Sequence, residues 1–216
     1  MAAKHKVLIV DDHPIVRHGL GELIARQPDL EMCGDASDVA GALRQVEAQR
    51  PDVAVIDISL EGGNGLELIE QIRALYPDVK MLVSSMHDEK IYAGRALRAG
   101  ALGYINKRES IRKVIDAVRQ VLRGEIYLST QMANRLLHRA AVGKPIDQDP
   151  TEALSNRELE VFEMIGNGKN TQQIARELDI SPRTVETHRK KIKTKLNLAN
   201  GAQLSRAAFQ WVQELG

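Results

Sequence analysis

The sequence is short of cysteine, of aromatic side chains, of long apolar runs and of any excess of charge. Its single cysteine, Cys33, excludes an intrachain disulfide and any zinc site built on several cysteines. Aromatics are 3% of the 216 residues, too few for the stacking platforms that hold sugars or single-stranded nucleic acid. The apolar run near the start, residues 7–10, is too short for the core of a secretory signal, and no run approaches the roughly 18 residues that cross a bilayer. The expectation is a soluble, cytoplasmic protein with no membrane contact. With 30 Lys and Arg against 29 Asp and Glu, the net charge is +1, which rules out a chain that binds polyanions by its overall charge.

What is present is a packed-core composition, 43% hydrophobic and 27% charged, at a length suiting one large domain or two small ones. Residues 1–124 alternate short β-branched runs (7–10, 53–56, 81–83, with weaker ones at 30–34 and 103–105) with helical patterns (14–26, 39–49, 66–75, 89–99, 111–123). That rhythm predicts an α/β domain, a doubly wound five-stranded parallel sheet with helices on both faces. Residues 125–150 lose the rhythm and read as a linker, partly helical over 132–141, with a polar end carrying two prolines. Residues 151–216 are all helical in pattern. Ser155-Asn156-Arg157-Glu158 reads as a capping box, and Ser181-Pro182 as an N-cap followed by proline at the first helical position.

In a doubly wound sheet, ligands bind beyond the carboxyl ends of the strands. The residues standing there are Asp11-Asp12, Asp57, Ser84-Ser85 and Asn106-Lys107. Carboxylates crowded at one rim repel one another and call for a cation, and an all-oxygen site with room for water suits Mg²⁺. Lys107 supplies a point charge for a phosphoryl oxygen, and Asp57 has the chemistry of an aspartyl-phosphate nucleophile. Taken singly each feature has a plainer account: Asp12 is placed to cap the helix starting at Pro14, and the run Gly62-Gly63-Asn64-Gly65 is turn chemistry.

The stretches VLIVDDHPIVRHGL, VAVIDISLEGGNGLEL, MLVSSMHDE and AGALGYINK resemble the receiver domain of two-component response regulators. The resemblance implies a flavodoxin-like sheet of order 2-1-3-4-5, with Asp57 as phosphoacceptor. Asp12, Asp57 and the backbone carbonyl of Ser59 would hold Mg²⁺, with Asp11 acting through its water shell. Ser85 would be the switch hydroxyl, Tyr104 the coupled aromatic and Lys107 the phosphoryl-binding cation. The chain departs from the family's usual pattern at Leu60-Glu61, where Met-Pro is common, at Ser85, where threonine is more frequent, and at Arg108.

Charge gathers in one place. Between Ser181 and Lys195 stand six basic residues (Arg183, Arg189, Lys190, Lys191, Lys193, Lys195) against one acidic, Glu186. Wound as a helix, this segment is about 22 Å long and places Val185, Ile192 and Leu196 on one stripe, with His188 on its flank as a packing residue. Arg183, Thr187, Lys190 and Thr194 lie opposite, and Glu186 and Lys191 at the edges. With a helix over about 172–178 and the turn Asp179-Ile180, this is a helix-turn-helix whose outward face suits a major groove.

The stretch LSNRELEVFEMIGNGKNTQQIARELDISPRTVETHRKKIKTKL resembles the LuxR-type helix-turn-helix, so nearly the whole chain resembles the NarL/FixJ response regulators. By that resemblance Glu186, Thr187 and Lys190 would face base edges, with Arg183, Thr184, Arg189, Lys191 and Lys195 nearer the DNA backbone. Thr171 and Gln173 stand where Asn and Glu are usual, and Glu186 where Lys is common. The function implied is a transcriptional regulator switched by phosphoryl transfer from a histidine kinase and binding promoter DNA as a phosphorylated homodimer, with RNA polymerase as a further partner. It would be no enzyme beyond its own phosphorylation and dephosphorylation. Two rivals are a constitutive DNA binder and a Mg²⁺-dependent phosphohydrolase, the latter disfavoured by the absence of an Asp-x-Asp nucleophile pattern.

Overall fold

The computed structural model describes residues 4–141 and 150–215, and the chain divides into two compact units, Met1–Arg135 and Leu136–Gly216. The polar end of the expected linker, 142–149, lies outside the described residues.

The first unit runs β1 (His5–Val10), α1 (Pro14–Ala25), β2 (Leu30–Ala36), α2 (Val39–Gln49), β3 (Val53–Ile56), β4 (Ser59–Leu60), β5 (Gly63–Asn64), α3 (Gly65–Leu75), β6 (Lys80–Ser85), α4 (Glu89–Ala99), β7 (Gly103–Asn106) and α5 (Ile111–Leu122). The sheet is all parallel in the order β2-β1-β3-β6-β7, which is the expected 2-1-3-4-5 once the two-residue hairpin β4-β5 is set aside. The strands read as unbroken apolar runs because both faces are covered. Val7 and Ile9 of β1 join Val53, Val55, Leu82 and Ile105 in one core with Leu20 and Ile24 of α1 and Val118 and Val121 of α5. Leu8 and Val10 point to the other face. Each such Val, Leu or Ile, fully buried, is worth about 1.5–3 kcal/mol.

The chain after α5 does not leave this unit at once. Tyr127 lies alongside the sheet's edge strand β7, bridging Gly103 in parallel register. Its N–H donates to Leu102 O and its carbonyl accepts from Tyr104 N–H, both at 2.9 Å. Ser129 N–H donates to the Glu89 carboxylate at the start of α4, and α6 (Thr130–Ala141) follows.

The second unit holds α7 (Asn156–Gly166), α8 (Thr171–Glu177), α9 (Pro182–Lys195) and α10 (Gly201–Leu215), preceded by a 3₁₀ turn at Pro150–Ala153. Both expected helix starts form: Ser155 and Glu158 make a reciprocal capping box, and Ser181 accepts from Thr184 N–H ahead of Pro182. Asn170 and Gln173 make a second capping box. Glutamine serves there as well as a glutamate because only the side-chain carbonyl oxygen is needed. Asp179, in the left-handed region at φ 49°, turns the chain from α8 to α9. The core is Leu159, Phe162, Ile165, Ile174, Val185, Ile192, Leu204 and Ala208, all buried.

Candidate functional site

The strand order reverses between β1 and β3, so the carboxyl ends of those strands open onto a crevice. Asp11 follows β1 and Asp57 follows β3, and both are buried, at 2% and 4% exposure. Lys107, just after β7, reaches in and donates to Asp57 Oδ2 at 2.5 Å and pairs with Asp11 Oδ2 at 2.6 Å. Asp57 Oδ1 accepts from its neighbour's amide, Ile58 N–H, at 2.7 Å. Burial pushes the Asp57 carboxyl above its ordinary value, against the opposing pull of Lys107. For Lys107 burial works downward, but the two carboxylates prevail and hold its pKa above the usual lysine value.

Asp57 is set in place by α3. Asn64 caps that helix by accepting from Leu66 N–H, and Gly65 N–H donates to Ile58 O at 2.7 Å. A Cβ at Gly65 would sit 1.9 Å from the Asp57 carbonyl oxygen, so glycine is obligatory there. The run first read as turn chemistry thus packs against the backbone of the buried aspartate.

Asp12 does not cap α1. The N-cap is His13, without a side-chain cap, and Asp11 Oδ1 accepts the His13 N–H at 3.0 Å. Asp12 Oδ1 is buried and counts no hydrogen-bond partner among the described residues, while His13 Nδ1 lies 2.5 Å away, an ion pair when the imidazole is protonated. One ligand atom from each of Asp11, Asp12, His13 and Asp57 falls within 4.8 Å of the others. Three carboxylates against one lysine leave a formal charge of −2, matched by a divalent cation, and the buried Asp12 oxygen beside the His13 imidazole adds a further ligand atom. The oxygen donors fit Mg²⁺; the His13 imidazole does not add to that set, because Mg²⁺ prefers oxygen.

Ser85, at the end of β6, is buried and hydrogen-bonds the Asp57 carboxyl. Tyr104 is buried with its hydroxyl turned inward, donating to His87 O at 2.9 Å. Ser59 lies two residues past Asp57, and its hydroxyl meets His87 Nε2 at 3.1 Å. All the expected receiver residues therefore gather at one rim.

Three further residues shape the site without having been singled out in the sequence. His13 follows the aspartate pair. His87 joins Ser59 to the β6–α4 loop, and its ring packs on Tyr92 at 4.6 Å between centroids. Arg17 donates to Asp11 O at 2.6 Å and to Asp35 at 2.8 Å, fixing the backbone of the aspartate pair. Arg17 stands one helical turn after His13, and that spacing is the only sequence signal for it.

In the second unit, Val185 and Ile192 of α9 are buried and His188 is half-buried, its pKa lowered by burial. Arg183, Glu186, Thr187, Lys190 and Lys191 are exposed. Thr187 donates its hydroxyl back to Arg183 O at 3.0 Å. Thr184 is engaged with the N-cap Ser181. Lys195 donates to the buried Glu158 at 2.7 Å, and Arg189 lies 3.5 Å from Glu186. No helix among the described residues is long and apolar enough to cross a membrane.

Residues 7–119 match the model of the response regulator receiver domain, and 152–208 that of the bacterial regulatory proteins of the luxR family. The oxygen regulatory protein NreC of Staphylococcus epidermidis is 36% identical over 95% of this chain and 97% of its own. The transcriptional regulatory protein LiaR of Bacillus subtilis is 36% identical over 92% and 93%. A two-component response regulator of the LuxR family from Aurantimonas sp. superposes with a TM-score of 0.60 at 31% identity, over 64% of this chain and 99% of that one.

Proposed function

The chain belongs to the NarL/FixJ-type response regulators, a phosphorylation-controlled receiver joined to a LuxR-type DNA-binding domain, and from that premise we propose which residues switch it and which read DNA. Its partners by class are a sensor histidine kinase and DNA, and its own chemistry is limited to gaining and losing a phosphoryl group.

Asp57 is the phosphoacceptor. One of its carboxylate oxygens forms the new P–O bond as the P–N bond of the kinase's phosphohistidine breaks, and the leaving imidazole keeps the electron pair and takes up a proton. Asp12, Asp57 and the Ser59 carbonyl, with Asp11 nearby, would hold Mg²⁺, which would supply charge neutralisation at the phosphoryl oxygens. Lys107 exchanges its contact with Asp57 for a phosphoryl oxygen, and Ser85 turns its hydroxyl to another. The observation that carries this reading is Lys107 paired with both Asp57 and Asp11 across three separate strand ends. The exposed Ile15 at the start of α1 borders a cavity of about 250 Å³ lined also by Val16, Leu20 and Lys107, which suits the kinase's docking surface beside the acceptor.

On DNA, Glu186, Thr187 and Lys190 face base edges, with Arg183, Thr184, Arg189, Lys191 and Lys195 toward phosphates. Lys195 must leave Glu158 to do so. Two phosphorylated copies read half-sites about one helical turn apart, with RNA polymerase engaged at the promoter. α10 supplies the contact between copies. Leu204 and Ala208 are spent in the unit's own core and Trp211 stacks on Phe162 at 5.5 Å, so among the described residues Phe209, 55% exposed, is the large apolar side chain α10 has to offer.

Intact mass after incubation with acetyl phosphate and Mg²⁺ tests the switch. The expected result is one added phosphoryl group, absent in Asp57→Asn and absent with chelator. A gain that survives Asp57→Asn would overturn the assignment.

A further inference from the structure

Two positions at which the chain departs from its family's usual residues, Thr171 and Glu186, are bonded to each other. Thr171, first residue of α8, donates its hydroxyl to Glu186 Oε1 on α9 at 2.7 Å. Arg189, one turn further along α9, brings its Nε to 3.5 Å from the same oxygen. The Glu186 side chain is 59% exposed on the outward face, and its Oε2 meets no partner among the described residues.

The geometry points to Thr171 as a positioning residue for base recognition: by holding Glu186 Oε1 it aims Oε2 outward as a hydrogen-bond acceptor for cytosine N4 in the major groove, and so sets the preferred base at one position of the half-site. This rests on the reading that Glu186 faces a base edge.

The physical case has three parts. A carboxylate carries only acceptors, and the exposed amino group of cytosine is the major-groove donor a lone glutamate reads. A glutamate on a helix surface has several rotamers of similar energy, and fixing one of them lowers the entropy cost of each contact it makes. A carboxylate near phosphates is also repelled, and Arg189 beside Oε1 offsets that charge locally while Thr171 satisfies the oxygen Arg189 only partly covers. The hydroxyl that does this comes from a different helix, so the bond fixes Glu186 relative to the α8–α9 frame as well as along its own helix. The family's more common lysine at this position would present donors instead and favour guanine.

Selection of randomised duplexes by the full-length chain, treated with acetyl phosphate and Mg²⁺, tests this in four proteins. Wild type is expected to enrich cytosine at one position of each half-site, and Glu186→Ala to flatten that position. Thr171→Val, which keeps the shape and removes the donor, is expected to reduce the cytosine preference about fivefold while leaving other positions unchanged, the scale of one ordinary net hydrogen bond. Thr171→Ser, which keeps the donor, should restore it. If Glu186→Ala flattens a position that Thr171→Val leaves intact, the role of Thr171 is wrong and the reading of Glu186 stands. If Glu186→Ala changes no position, the reading of Glu186 fails and takes this inference with it. If Thr171→Val weakens every position alike, Thr171 serves only the fold of α8, and the inference is overturned.

Discussion

Tyr104 is held at both ends: its backbone N–H donates to Tyr127 O at 2.9 Å, and its hydroxyl donates to His87 O at 2.9 Å. One end touches the loop that follows Ser85. The other touches the segment that leads from the sheet edge into α6. Tyr104 thereby bonds both the β6–α4 loop and the segment that runs into α6. Tyr127 also closes the open edge of β7, which would otherwise present unpaired backbone groups to other chains.

Gly103 lets this segment approach the sheet edge closely. A Cβ there would meet Tyr127 O at 2.9 Å and Tyr127 Cβ at 3.0 Å, with Leu82 Cδ1 at 3.0 Å on the other side. Gly103→Val should lift the segment away and cost about 2 kcal/mol, the scale of two net backbone hydrogen bonds. Hydrogen exchange reads it directly: the Tyr104 and Tyr127 amides should lose protection while those of β1 and β3 keep theirs. Unchanged protection at Tyr127 would show that the segment is not held through this contact.

Ile15 separates docking from chemistry. Its side chain is 83% exposed and makes no part of the carboxylate cluster. Ile15→Glu should slow phosphoryl transfer from the cognate kinase about tenfold, as removal of a central apolar anchor does, and leave labelling by acetyl phosphate unchanged. An equal fall in both rates would place Ile15 in the reaction itself or in the fold.

The parts of this architecture with strong local physics were legible in the sequence. Five apolar runs gave the strands, and α2 and α4 begin and end where their patterns do, because buried parallel strands and capped amphipathic helices are specified residue by residue. The aspartates, Ser85 and Lys107 are legible because each stands at or just past the end of a strand. Tyr127 on the sheet edge was not, since one residue of β-pairing has no period to detect. The β4–β5 hairpin is likewise too short for any alternation to show. Arg17 and His87 act through contacts between elements, and nothing in the local sequence announces which carbonyl an arginine will reach. The bond between Thr171 and Glu186 spans 15 residues and two helices; the sequence showed two unusual residues and only the fold joins them.

Among the described residues Lys107 is the lysine paired with both buried carboxylates, at 10% side-chain exposure, so its loss leaves them facing one another. Lys107→Gln should destabilise the receiver by about 3 kcal/mol in chelator, the cost of unpairing a buried charge. Millimolar Mg²⁺ should recover more stability in the variant than in wild type, because it replaces missing positive charge. Thermal unfolding with and without Mg²⁺ makes the comparison, and a variant indifferent to Mg²⁺ would remove the carboxylates as its binding site.

Phe209 and Trp211 lie two residues apart on α10 with different duties. Trp211 packs on the buried Phe162, so Trp211→Glu should unfold the second unit rather than probe a contact between copies. Phe209→Glu should leave the fold intact and convert cooperative binding of two half-sites into independent binding of each. A gel-shift titration on paired and single half-sites shows it: Phe209→Glu that still fills both half-sites together would exclude this face of α10 from the contact.

Glu158 makes the stability of the DNA-binding unit dependent on pH in a defined direction. Burial pushes its pKa up, but hydrogen bonds from Lys195 Nζ and the Ser155 amide outweigh burial and hold it below the ordinary 4.5. A carboxyl with a lowered native pKa stabilises the fold fully above the unfolded value, and that contribution is lost as pH falls through the native one. Trp211 is the protein's one tryptophan and sits in this unit, so its fluorescence reports unfolding here. At neutral pH Glu158→Gln should be less stable than wild type by about 1 kcal/mol, since the amide keeps the capping oxygen but loses the charge facing Lys195. As pH falls below 4.5 and through the lowered native pKa the two proteins should converge, because protonation gives wild type the same neutral side chain. A gap that stays constant down to pH 3 would mean that the capping box works by shape alone and that Lys195 adds nothing to it, leaving that lysine free for DNA at no cost to the fold.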